Sequence, residues 1–146
     1  MPLTRKLHWA ETYFHDFLVE NADKPFQWGS WDCSLFCADA IKSITDVDVA
    51  VDFRDQYTTE FGALKTIKRV TGGTTVADAA QYCAEQFGLV EYEFPLLAKR
   101  GDLVVAQNGD SLISAVVDLN GRHIISVSEN GLMRLPITNV VRAWSV

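Results

Sequence analysis

The run LVVAQNGDSLISAVVDLNGRHIISVSENGLMRLPITNVVRAWSV, residues 103–146, decides the fold class, because its hydrophobic period is that of strands rather than helices. Strands are predicted at Leu103 to Gln107, Leu112 to Leu119, Arg122 to Ser128, Leu132 to Leu135 and Val140 to Val146. Between them stand Asn108-Gly109-Asp110, Asn120-Gly121, Asn130-Gly131 and the bend around Pro136. Asparagine and glycine tolerate the positive φ of a tight hairpin, so these turns predict successive reversals and an antiparallel sheet.

Upstream of the sheet the period is helical. Thr4 suits the N-cap of a first helix to about Asn21, with Leu7, Ala10, Phe14, Phe17 and Leu18 on its buried face and Pro25 beyond its end. A second helix, from about Cys33 to Ile44, sets Cys33, Cys37, Ile41 and Ile44 on one stripe and Leu35, Asp39, Lys42 and Asp46 on a more polar side. Val47 to Tyr57 reads as an irregular connector. A third helix, from about Thr59 to Val70, stops at Gly72-Gly73. A fourth is capped by Thr74 or Thr75, buries Val76, Ala79, Ala80, Cys83 and Phe87, and ends at Gly88. Helices first and strands last predict an α+β domain with the Cys33 helix packed on the sheet. At 146 residues and 48% hydrophobic content, one domain spanning 1–146 is expected.

Composition narrows the function. Nineteen acidic against thirteen basic residues give a net charge of −6, which argues against nucleic acid, where phosphate contacts dominate affinity. No apolar run of about twenty residues occurs, so no membrane span is expected. Met1 to Lys6 leads straight into a pattern holding His8, Glu11, His15 and Asp16, unlike a secretory signal, so synthesis in the cytoplasm is expected. The three cysteines are an odd number, and Cys33 and Cys37 lie one helical turn apart, so reduced thiols are expected. Nothing near them completes a zinc pattern, and neither a metal nor an organic cofactor is expected.

The stretch Phe26-Gln27-Trp28-Gly29-Ser30-Trp31-Asp32-Cys33-Ser34 carries the chemistry. Asp32 can cap the helix through the free N–H of Ser34 or Leu35, leaving Cys33 in the first turn, where the partial positive charge favours a thiolate. Two readings of Cys33 stand: a nucleophile, or a small buried hydrophobe. Phe26, Trp28 and Trp31 are the candidate binding residues. For Trp31, core packing is at least as good an account, whereas an exposed Trp28 would favour an interface anchor. His8 and His15 read as solvated.

Asp32-Cys33-Ser34 opening a helix and Arg100-Gly101-Asp102-Leu103-Val104 opening the sheet resemble the NlpC-type cysteine peptidases, a papain-like family that cuts bacterial cell-wall peptidoglycan. With the loop Phe26 to Trp31, Tyr57, Gly62-Ala63, Gly72-Gly73 and Ala143-Trp144, the chain is more closely similar to a branch of small proteins encoded among bacteriophage and prophage tail genes. The resemblance implies a papain-like arrangement with Cys33 as nucleophile, a histidine base on the strand after glycine-aspartate-leucine, and a polar third residue on the next strand. Here Ile113 occupies the expected histidine position and Ser126 the third, so the base is missing. A two-residue turn at Asn120-Gly121 pairs Val117 with Ile124, Ala115 with Ser126 and Asp118 with His123. It thereby sets Ile113 and Ser126 on one face, which the Cys33 helix is expected to cover. His123 falls on the other face as a surface ion-pair partner of Asp118.

The resemblance therefore implies a tail-associated assembly or structural protein on a degenerate peptidase fold, made in the host cytoplasm, located in the virion tail, and binding tail hub or tip proteins. The alternative is an active peptidoglycan endopeptidase that uses Cys33 to assist cell-wall penetration.

Overall fold

The computed structural model describes residues 3–146. A π-helical turn, Trp9–Phe14, runs into α1 (His15–Glu20). Then come α2 (Cys33–Thr45), α3 (Glu60–Thr71) and α4 (Val76–Phe87). A two-residue strand β1 (Val90–Glu91) precedes β2 (Leu103–Asn108), β3 (Ser111–Val117), β4 (His123–Ser128), β5 (Gly131–Pro136) and β6 (Val140–Ser145). The fold is α+β, with one antiparallel sheet in the order β1-β6-β2-β3-β4-β5. No described helix is long and apolar enough to cross a membrane.

Capping chemistry accounts for the helix ends. Thr59 Oγ1 accepts the Gly62 N–H, and Thr75 and Asp78 form a reciprocal capping box. Gly72 and Gly88 close α3 and α4 in the left-handed conformation. The first helix begins later than expected: its N-cap is His8, not Thr4, and Leu7 is 81% exposed. The chain before it is tied down elsewhere, since the Lys6 N–H donates to the Ile44 carbonyl and the Arg5 guanidinium to Asp102. β1 carried no strand signal because it is short and solvent-facing, and exists only through its pairing with β6.

α2 is the central helix. It packs on β3 on one side and on the Trp9–Phe14 turn on another. Leu35, expected on a polar side, is therefore fully buried. A one-stripe reading fails for a helix enclosed by more than one layer. Both faces of the central sheet are buried. Leu103, Val105, Val116, Ile125, Val127 and Trp144 join the main core with α2. Val104, Ala106, Ala115, Val117, Ile124 and Ala143 form a second core beneath Ala98 and Tyr92.

Asp102, 1% exposed, locks the start of the sheet to both chain ends. Its carboxylate accepts from Arg5 Nη2 (2.7 Å), the Tyr92 hydroxyl (2.7 Å), the Lys99 N–H (2.8 Å) and the Val146 N–H (3.0 Å). Arg5 also donates to the carbonyls of Arg100 and Val146 and lies 4.3 Å from the centre of the Trp9 ring. The Arg100-Gly101-Asp102 motif thus has an architectural role.

Candidate functional site

The N-terminus of α2 is built around Asp32. One carboxylate oxygen accepts the Leu35 N–H at 2.9 Å, the expected cap; the other accepts the Gly29 N–H (3.1 Å) and the Tyr57 hydroxyl (2.6 Å). Gly29 has φ +83°, and any Cβ there would collide with the Tyr57 carbonyl, so glycine is required for the loop to close. Burial and the adjacent Asp32 carboxylate push the Tyr57 phenol up, which keeps it the donor of this bond.

The aromatic loop divides by residue. Trp31 is 2% exposed and sits edge-on to Phe36 at 5.5 Å, so it belongs to the core. Trp28 is 37% exposed, edge-on to the half-buried Phe26 at 4.8 Å. Phe26 and Trp28, with the first turn of α2, line a cavity of about 850 Å³.

This cavity is walled mainly by apolar side chains of α2, α3 and α4, including Ile41, Ile67 and Ala80, with β3 and the β4–β5 turn opposite. All three cysteines line it, and none forms a disulfide. Cys33 is half-buried in the wall. Burial raises its thiol pKa, the Ser114 backbone N–H pulls the other way, and the Asp32 carboxylate adds to the rise. The thiolate expected from the helix terminus alone is therefore not favoured. Cys37 is pushed well up by burial, and Cys83 up to about 12.

The Asn120-Gly121 hairpin has the expected register, with Val117 opposite Ile124, but α2 covers the opposite face from the one expected. Ser114, Val116, Ile125 and Val127 face α2, and Ser34 Oγ lies 3.4 Å from Ser114 Oγ. Ile113 packs against the second core and also borders the cavity. Ser126 alternates away from Ile125 and Val127, and its hydroxyl donates back to the Ser114 carbonyl at 2.8 Å. The side chain opposite the start of α2 is thus Ser114, one position from Ile113. Strand parity left two faces to choose between, and which one the helix takes follows from packing of β2 and β6 as much as β3.

Among the described residues, no histidine lines the cavity. His8 and His15 are exposed beside Glu11 and Asp16, and His123 Nδ1 lies 2.9 Å from the Asn120 side chain. Asp118, expected to pair with His123, instead accepts from Arg134 at 2.8 Å. Among the described residues, no group of three or more His, Cys, Asp or Glu side chains is arranged to hold a metal.

Sequence reading missed Ser114 and the cavity's charged border. Glu60 at the start of α3, Asp110 in the β2–β3 turn and Glu129 in the β4–β5 turn are exposed carboxylates on its wall, and among the described residues no lysine or arginine joins them. They come from three separate segments, so no local pattern marks them.

Neither the curated proteins nor the solved structures contain a match to this chain. A family model does match, over residues 4–146, and by that match the chain belongs to the family described as a domain of unknown function, DUF6950.

Proposed function

We propose that this protein is a non-catalytic docking module of a bacteriophage or prophage tail, built on a papain-like, NlpC-type frame. One observation carries the non-catalytic part: the cavity at Cys33 has no imidazole on its wall, and burial favours the protonated thiol. A cysteine peptidase needs a base within hydrogen-bond reach to take the thiol proton and later return it to the leaving amine. The papain-like frame is supported by the cysteine at N1 of a buried helix packed on an antiparallel sheet. The tail assignment rests on the resemblance of the motifs, and its partners would be tail hub or tip proteins.

Two measurements test this. Mass spectrometry and immunogold labelling of purified virions, with and without the gene, should place the protein in the tail; tails that assemble and infect normally without it would overturn the assignment. In a muropeptide digest the wild-type protein and Cys33→Ala should both stay at background. Fragment release by wild type alone would establish the endopeptidase reading instead.

A further inference from the structure

The Cys33 cavity measures about 850 Å³, and the exposed charges on its wall have one sign. Apolar side chains line most of it, Trp28 and Leu64 stand exposed on its wall, and the exposed charges there are the carboxylates of Glu60, Asp110 and Glu129. A ligand with a phosphate or carboxylate head would bring an anion against these groups with no cation to meet it, which disfavours nucleotides and fatty acids.

The sheet is also open at this place. β3 and β4 pair only at Val116–Ile125 and Val117–Ile124, although the strands run on to Ser111 and Ser128. Beyond Val116 they part. The Ser126 hydroxyl occupies the Ser114 carbonyl, and neither Leu112 nor Val127 pairs across the gap. Both residues line the cavity. Alternation along β3 turns the odd-numbered residues toward β2, as the Val117 N–H to Asp102 carbonyl bond shows, and so turns the Leu112 backbone toward the gap. Unpaired strand backbone beside an apolar recess is the arrangement by which extended peptides are held: main-chain hydrogen bonds give affinity, and pockets for alternate side chains give selectivity.

We infer that the occupant of this cavity is an extended polypeptide segment of a partner protein, with an apolar side chain in the recess and a lysine or arginine at the Glu60, Asp110 and Glu129 border. This rests on the docking reading above and specifies what is docked. The acidic surface then draws the basic segment in, while Trp28 offers a ring against which its apolar part packs.

The test is selection of a random dodecapeptide display library against the intact protein, followed by affinity measurement on the enriched peptides. Enriched sequences should combine basic and apolar residues, and their binding should weaken as salt is raised. The triple variant Glu60→Lys, Asp110→Lys, Glu129→Lys changes exposed positions only and should weaken binding about tenfold or more. Ala80→Trp, which fills the recess, should abolish binding in the folded fraction. Because Ala80→Trp can fail to fold, the charge-reversal variant carries the test by itself. No enrichment, enrichment of acidic peptides, or equal binding by the triple variant would overturn the inference. Bound peptides cut by wild type and not by Cys33→Ala would instead refute the non-catalytic reading while leaving the occupant class intact.

Discussion

Replacing Asp102 should destabilise this fold more than any other single carboxylate change. Asp102→Ala removes the acceptor for the Arg5 guanidinium, the Tyr92 hydroxyl and the backbone N–H groups of Lys99 and Val146 at once. A buried donor left without a partner costs about 1–3 kcal/mol, and removing one member of a buried ion pair about 3–5 kcal/mol. The sum is reduced here because the Arg5 side chain is 21% exposed and keeps its bonds to the Arg100 and Val146 carbonyls. A loss of about 3–4 kcal/mol is therefore expected, lowering Tm by about 10 °C for a chain of this size. Urea unfolding followed by circular dichroism measures it. A double-mutant cycle with Arg5→Ala should give a coupling of about 1 kcal/mol or more, since the two groups share a direct bond. Asp102→Asn should fall between, because its amide keeps one acceptor oxygen but turns an N–H₂ toward the same donors. A loss below about 1 kcal/mol, or strict additivity with Arg5→Ala, would refute the view that this carboxylate locks the sheet to the chain ends.

Three further outcomes follow from the site. Alkylation of Cys33 by iodoacetamide, read on its tryptic peptide, should be slow at neutral pH and still rising at pH 9, because burial favours the protonated thiol; a plateau near pH 7 would reveal an activated thiolate. Ser114→His should shift that pH profile downward by setting an imidazole beside Cys33, whereas Ile113→His, whose side chain packs against the second core, should shift it less; the reverse result would refute the face assignment. Trp31→Ala should cost about 3–5 kcal/mol in thermal unfolding as a buried aromatic deletion, and Trp28→Ala under about 1 kcal/mol. Equal losses would place Trp28 in the core as well.

The Asp32 and Asp102 motifs do two different structural jobs. Asp32, Gly29 and Tyr57 hold the aromatic loop against the first turn of α2 and so shape the cavity mouth. Arg100-Gly101-Asp102 closes the fold near the C-terminal end of α2, where a Cβ at Gly101 would press on Arg5, Trp9 and Ile44. The residues of both motifs thus do mechanical work in this fold.

What the sequence determined by itself was local. The cap at Asp32, the threonine caps of α3 and α4, their glycine ends and the hairpin turns all depend on residues within a few positions of one another, so composition and spacing decide them. Hydrophobic period then set the α+β class and even the register at Asn120-Gly121. Only the tertiary structure decided the rest. Leu35 is buried because α2 lies between two layers, and β1 exists because β6 is there to pair with it. The face of β3 that meets Cys33 is chosen by packing across the whole sheet, and period-two alternation cannot select it: a strand buried on both faces shows apolar residues on each. For the same reason the carboxylates of Glu60, Asp110 and Glu129 form one border only when α3 and two separate turns are brought around a single cavity.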